Sequence, residues 1–376
     1  MAALKEKIGQ MIMVGLKGKD LTKEEEQLLR NYPFGGFILF THNLKEPKQI
    51  LSLCRSLWEI EKKPPPFIAI DQEGGRVHRL PAPFTRFPAA AALGRTGDTG
   101  LAYRAGLATA RELAAVGINL NFAPVLDVHS NPDNPVIGDR SLSSDPGQVA
   151  ALGWAIIEGL RDGGIIPCGK HFPGHGDTAK DSHLELPVVE KDLTALRAIE
   201  LPPFAHACRN QIESLRSYAI RESSSAMIWK MTAHVLYPSL DRNYPATLSE
   251  TIIGGLLREE LGYQGVVFSD DLEMEAISKN FLLAEAVSRS VRAGVDVLMF
   301  CHERESAIKA LELLWQAAEK KEQTKMRVEK SYRRITNLKQ RYLKSFAGVD
   351  KDLLTEHLGI TGHRKLAEEI TKAGEH

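Results

Sequence analysis

The chain has 376 residues, 43% of them hydrophobic, with 48 Lys plus Arg balancing 48 Asp plus Glu. That length and apolar content support a large core, as one (β/α) barrel or two medium domains. The zero net charge gives no field that would favour nucleic acid or an anionic membrane, so a neutral small molecule is the expected partner.

The first residues, MAALKEKIGQ, are broken by Lys5, Glu6, Lys7 and Gln10 before an apolar run of signal-peptide length accumulates, and no later run approaches a membrane span. Cys54, Cys168, Cys208 and Cys301 are scattered without a Cys-x-x-Cys pair and read as buried thiols of a reducing compartment. A cytoplasmic monomer is expected. Short apolar runs then alternate with amphipathic stretches. Strands are predicted at 11–15, 36–40, 67–70, 119–125, 165–169, a disturbed run ending at Val235, 266–269 and 295–300. Between them, Asp145 and Pro146 open a helix with Val149, Leu152, Ile156, Ile157 and Leu160 at helical spacing, and Ser249 precedes a second with Ile252, Ile253, Leu256 and Leu257. Uniformly apolar strands reached by helical crossovers suit a parallel sheet covered on both faces. Eight such units predict an α/β fold, a single-domain (β/α)8 TIM-type barrel over 1–345 with a C-terminal helical extension. From Glu303 two helical stretches follow, the second carrying Val328, Tyr332, Ile335, Leu338 and Tyr342 on one face and solvated Lys and Arg on the others. Residues 346–376 read as a polar, frayed tail.

Polar residues collect where the predicted strands end. Asp71 to Gly75 (DQEGG) follows the third, Asp127 and His129 the fourth, Lys170 and His171 the fifth; His234 ends the sixth; Asp270 follows the seventh, and Cys301 and His302 the eighth. In a barrel those ends converge on one mouth, where active sites are built.

The stretch from Lys170 to Pro187, KHFPGHGDTAKDSHLELP, holds three histidines and two aspartates, and Gly174 and Gly176 suggest a mobile catalytic loop. Asp181 and His183, two apart in an extended segment, project to one side. The carboxylate can then accept a hydrogen bond from one imidazole nitrogen and leave the other free as a general acid/base. Two other readings stand beside it: solvated loop residues, or a metal site from His171, His175 and His183 with Asp177 and Asp181, whose spacing matches no strong zinc pattern. Further on, GVVFSDDLEMEAI runs a strand into adjacent aspartates. Asp271 has an ordinary task as a helix cap, which leaves Asp270 as a nucleophile facing the loop. A nucleophile and a separate acid/base divide the labour as in a retaining glycosidase, except that the acid/base is a histidine.

The chain resembles the β-N-acetylhexosaminidases of glycoside hydrolase family 3, of the cytoplasmic bacterial kind that recycles peptidoglycan. The resemblance rests on DQEGGRVHRL from Asp71, NFAPVLDV from Asn121, NPVIGDRS from Asn134, KHFPGHGDT with DSH from Lys170, MTAHVLYP from Met231, PATLS from Pro245 and FSDDLEM from Phe268. It implies His183 as acid/base, Asp181 as its partner and Asp270 as nucleophile. It also implies that Asp71, Arg79, Arg140, Lys170 and His171 hydrogen-bond a terminal N-acetylglucosamine, the substrate being a muropeptide fragment, with no cofactor. One departure stands out. Residues 216–230, RSYAIRESSSAMIWK, interrupt the family pattern before Met231, either as a bulge whose end extends the sixth strand harmlessly below the barrel floor, which is the favoured expectation, or with Trp229 and Lys230 standing in the strand itself. Phosphorolysis, with phosphate in place of water, and a carbohydrate-binding barrel that has lost catalysis are the competing functions.

Overall fold

A computed structural model of the chain describes residues 2–60, 64–217 and 229–375. Eight strands, β1 (Ile12–Gly15), β2 (Gly36–Leu39), β3 (Phe67–Ile70), β4 (Leu120–Asn121), β5 (Ile166–Phe172), β6 (Trp229–Thr232), β7 (Val267–Asp271) and β8 (Val297–Phe300), pair in sequence order. β8 returns to β1, so the all-parallel sheet closes on itself. Every residue of β1, β2, β3, β5 and β8 is buried. This is why the sequence shows continuous apolar runs: each strand has the barrel interior on one side and a helix on the other. The fold is the expected (β/α)8 TIM-type barrel.

Local chemistry sets the helix ends. Asp145 accepts from the N–H groups of Gly147 (2.6 Å) and Gln148 (3.1 Å) ahead of the helix Pro146–Asp162, and the Ser249 hydroxyl accepts from Ile252 N–H (3.2 Å) at the start of Thr251–Glu260. β4 is far shorter than the predicted 119–125. The Asn119 amide takes Ile68 N–H (2.9 Å) and gives to Pro66 O (3.1 Å), and Asn121 does the same for both backbone groups of Gln72 (2.9 Å each). Side-chain amides thus replace ladder bonds on that side of the barrel.

Two expectations for the C-terminal part change. The closing helix Glu322–Tyr342 does not leave all its cations in water. Arg327 and Arg334 turn inward to Asp296 Oδ1 (3.2 and 3.3 Å) while Arg258 reaches its other oxygen (2.7 Å), and Lys339 Nζ gives to Gln10 Oε1 (2.6 Å) and Gly35 O (2.7 Å). Asp296 immediately precedes β8, so this cluster ties the helix to the end of the barrel opposite the mouth. Nor is the polar segment after Gly348 frayed. Its helix Thr361–Ala373 buries Leu366, Ala367 and Ile370 against the second hydrophobic cluster, and His363 Nδ1 reaches Glu112 Oε1 at 2.8 Å. Glu112 also accepts from Thr85 and Gly359, a buried acceptor shared by the tail and the barrel. No helix among the described residues is long and apolar enough to cross a membrane.

Most of the departure noted before Met231 lies outside the described residues, but its last two do not. Trp229 pairs with Cys168, and Lys230 with Gly169 and Val267, inside the barrel wall and not below its floor, contrary to the favoured expectation. Lys230 is fully buried beside Gly169, where a missing side chain leaves room. Its Nζ lies 5.3 Å from the Phe204 ring centroid and has no hydrogen-bond partner among the described residues. Burial holds its ammonium below the ordinary lysine range. Between that depressed value and the unfolded one the unfolded chain binds more protons, so this residue makes stability rise with pH through that window. Lys230→Met, which keeps the volume and removes the charge, should stabilise the protein by about 1–3 kcal/mol at pH 7. The gain should shrink as pH approaches the ordinary lysine range. Urea midpoints at pH 7 and pH 10 check this, and a less stable methionine variant at pH 7 contradicts it.

Candidate active site

The carboxyl ends of the strands open into a cavity of about 300 Å³. It is lined by all the residues expected to carry catalysis or hold the sugar, Asp71, Arg79, Arg140, Lys170, His171, Asp181, His183 and Asp270, whereas Asp127, His129, Asp177 and His234 do not line it. The barrel therefore gathers side chains up to two hundred positions apart.

One wall is an ion cluster. Lys170 Nζ lies 2.5 Å from Asp71 Oδ1 and 2.6 Å from Glu73 Oε1, and Arg140 clasps both oxygens of Glu73 at 2.9 Å through Nε and a terminal nitrogen. Burial alone would raise the Glu73 carboxyl, but the charges of Lys170 and Arg140 outweigh it and hold the group well below the usual carboxylate range. Burial likewise disfavours the Lys170 ammonium, and Asp71 with Glu73 more than offsets that. Each charge here is kept by its neighbours, which fixes the donors and acceptors before any ligand arrives. Arg79 also lines the cavity, and its buried Nε has no partner among the described residues.

His171 is set by Asp127, whose Oδ2 is 2.7 Å from its Nδ1. That nitrogen faces a carboxylate and so carries the proton, which leaves Nε2 to the cavity. Asp127 is fully buried, and its other oxygen accepts the backbone N–H groups of His171 (3.1 Å) and His175 (2.7 Å).

Asp270 stands near the end of β7, partly open to the cavity, and accepts the N–H of Asp271 at 2.9 Å. Burial pushes its carboxyl up, but the nearby His234 and His171 and the Asp271 N–H pull harder, so it is held below its ordinary value and stays ionised. Its neighbour behaves oppositely: burial pushes Asp271 up to about 6. The expected helix-cap role of Asp271 is replaced by a turn, since its side chain accepts from Glu273 N–H (3.1 Å) and Cys301 N–H (3.3 Å) while its carbonyl takes His234 Nε2–H (2.9 Å). Asp271 locks the end of the strand, and Asp270 is left to face the cavity.

The Lys170–Pro187 stretch is less mobile in its first half than its glycines suggest. β5 runs on to Phe172, and Asn134 donates to the carbonyls of His175 (2.9 Å) and Gly176 (3.0 Å). A Cβ on Gly176 would lie 1.6 Å from Val128 O, so that glycine permits close packing. The dyad sits on the outer half: His183 Nδ1 is 2.7 Å from Asp181 Oδ1, which also accepts His183 N–H (2.8 Å). Burial pushes the Asp181 carboxyl up, but these two bonds from His183 outweigh it and hold the group below its ordinary value. Nε2 of His183 has no partner among the described residues. Of the alternative metal-ligand set, His175 has both ring nitrogens bonded, to Thr178 and Ser182, while His171 and His183 are each oriented through Nδ1 by a carboxylate and keep Nε2 free; among the described residues no group of three or more His, Cys, Asp or Glu is arranged to hold a metal ion.

The supporting roles of Glu73, Asp127, Asn134 and His175 are not foreseen from sequence, where Asp127 is placed only at the barrel mouth and His175 only in the alternative metal set, although all four lie inside the quoted motifs. The available signal is the buried lysine: an ammonium at the end of a core strand demands more than one carboxylate, and Glu73 is two residues from Asp71.

The description "Glycosyl hydrolase family 3 N terminal domain" matches residues 3–338. A β-hexosaminidase of Alkalilimnicola ehrlichii is 39% identical over 301 residues, 78% of this chain and 81% of that protein. A β-hexosaminidase A of Pseudoalteromonas piscicida is 38% identical over 94% of this chain, which spans 60% of that longer relative. Among solved structures, a family 3 β-N-acetylglucosaminidase from a Paenibacillus species superposes with TM-score 0.89 and 40% identity, covering 99% of this chain and 68% of that one. NagZ of Neisseria gonorrhoeae, in complex with N-trifluoroacetyl-D-glucosamine, superposes with TM-score 0.76 and 30% identity over 97% and 98% of the two chains. With the barrel, the cavity and these likenesses in agreement, the chain belongs to glycoside hydrolase family 3.

Proposed function

We propose that the protein is a retaining exo-β-N-acetylglucosaminidase, and that it works by double displacement with Asp270 as nucleophile and His183, paired with Asp181, as acid/base. The observation that carries this reading is a single cavity lined by an ionised Asp270 and by an imidazole whose free nitrogen has no other task. Its volume, about 300 Å³, lies at the small end of ligand pockets, which suits one terminal sugar ring. In the first step Asp270 attacks the anomeric carbon. The bond to the leaving oxygen breaks, and that oxygen takes the proton from His183 Nε2. In the second step the now neutral imidazole removes a proton from water as the water oxygen attacks the same carbon, and Asp270 departs as carboxylate. Asp71, Lys170, Arg79, Arg140 and His171 hold the hydroxyls and the acetamido group, their acceptors and donors fixed beforehand by Glu73 and Asp127.

The names of the matching relatives support N-acetylglucosamine as the sugar. By the resemblance read from the motifs, its glycoside is a muropeptide fragment in which the sugar is β-linked to anhydro-muramic acid, handled by a cytoplasmic monomer in peptidoglycan recycling. The exposed histidine also admits phosphorolysis, because a neutral imidazole base repels a phosphate dianion less than a carboxylate would. Release of a chromogenic aglycone from a β-N-acetylglucosaminide, with and without phosphate, separates the readings. Free N-acetylglucosamine in both conditions is the expected result. A sugar 1-phosphate formed only with phosphate replaces hydrolysis by phosphorolysis, and no release in either leaves a binding barrel.

A further inference from the structure

The exposed half of the loop contains one residue that points the other way. Asp181 and His183 have side chains 33% and 63% exposed, whereas Ser182 between them is 2% exposed. The dyad itself rides on a compact turn: the N–H groups of Leu184 and Glu185 both give to Asp181 O (3.0 Å each), and Asp181 holds His183 through backbone and ring. These bonds fix the two catalytic side chains to each other and leave their place over the cavity open. Among the described residues, the hydrogen bonds that leave 179–186 for the rest of the protein belong to Ser182. Its carbonyl accepts Ala276 N–H (3.3 Å), and its hydroxyl lies 3.1 Å from Nε2 of His175.

His175 is fixed on the barrel side. Its N–H gives to Asp127 (2.7 Å), its carbonyl accepts from Asn134 (2.9 Å), and its Nδ1 lies 2.9 Å from the Thr178 hydroxyl, which Asn134 also contacts (3.1 Å). The ring packs edge-on against His171, centroids 5.7 Å apart, and His171 shares Asp127 with it. Burial, then the charge of His171, pushes His175 down to about 4, so at neutral pH the ring has one donor and one acceptor nitrogen. A single chain of contacts thus runs from the sugar-facing His171 through Asp127 and His175 to Ser182 and the dyad.

We propose that His175 and Ser182 are positioning residues, whose mutual hydrogen bond seats the acid/base turn so that His183 Nε2 meets the glycosidic oxygen. This rests on the dyad reading given above. Ser182→Ala removes one buried oxygen from a residue that also lines the cavity, and the acid/base, nucleophile and sugar-facing side chains keep their own identity. It should lower kcat/KM about 10–100-fold for glycosides whose leaving group needs a proton, because a general acid displaced by roughly 1 Å forfeits that much. Activated aryl glycosides should lose no more than about threefold, and inhibition by free N-acetylglucosamine should stay within about twofold of the parent. Ser182→Thr, which keeps the hydroxyl, should restore most of the loss. An unchanged Ser182→Ala enzyme, an equal loss on both substrate types, or no restoration by threonine overturns the seating role. If His183→Ala itself fails to distinguish the two substrate types, the dyad reading has failed, and that outcome is separate from any result at Ser182.

Discussion

Replacing Asp270 by alanine should lower turnover by at least roughly 10³-fold while leaving the fold intact. The fold should survive because the Asp270 side chain makes one hydrogen bond among the described residues, to Asp271 N–H, whereas the neighbouring Asp271 carries the bonds that lock the strand end to His234, Glu273 and Cys301. Turnover should collapse because, among the described residues, no other carboxylate in the cavity is free to attack: Asp181 is held by His183. Asp71 and Glu73 are committed to Lys170 and Arg140, and Asp271 is turned toward backbone donors. Azide offers a chemical check on which residue has been removed. In Asp270→Ala it should fill the vacated space and attack a β-glycoside directly, giving a glycosyl azide of α configuration. An Asp270→Ala enzyme with near-parental activity would transfer the nucleophile elsewhere.

Loss of His183 should look different. His183→Ala should cost about 10²–10⁴-fold on glycosides with alkyl or sugar leaving groups, since only these need a proton in the first step. Activated aryl glycosides should still transfer the sugar to Asp270, and the glycosyl-enzyme should then accumulate for want of a base. Azide, needing no base, should discharge it and form a β-glycosyl azide, opposite in configuration to the product of the Asp270 variant. Equal losses on both substrate types, or no β-azide, would make His183 a sugar-positioning residue instead. Burial and hydrogen bonding support different halves of this division of labour: Asp270 is kept ionised in a largely enclosed place, while His183 remains in contact with water, where its proton can be exchanged between cycles.

The parts of this arrangement that were legible in the sequence share a physical origin. Strands buried on both faces write themselves as continuous apolar runs, so the barrel and the strand ends could be read directly, and with them Asp71, Lys170, His171 and Asp270. Asp181 and His183 could be read because their contact is local, two residues apart. What stayed hidden depends on distant partners. Glu112 looks like a surface charge on the helix Thr99–Ala115 until Gly359 and His363 arrive from about 250 positions away, and the tail that brings them scatters its buried Leu354, Leu358, Leu366, Ala367 and Ile370 among charged residues, with no long apolar run to announce its packing. Glu73 and Asp127 are hidden for the same reason, each explained by a cation or an imidazole on another strand. The sixth strand was misjudged because a lysine in a barrel wall violates the apolar pattern, and the space that admits it comes from Gly169 on the neighbouring strand.

Double displacement requires a covalent sugar ester on one particular aspartate. A 5-fluoro N-acetylglucosaminyl fluoride tests it most directly, because the ring fluorine slows both steps while the fluoride leaving group keeps the first step the faster. Incubation with the parent enzyme, proteolysis and mass spectrometry of the peptides should place one sugar on the fragment containing Phe268 to Met274, with fragmentation assigning it to Asp270. The same treatment of Asp270→Ala should give no label. A label on Asp271, a label outside this segment, or a product of inverted anomeric configuration from an ordinary substrate would contradict the mechanism.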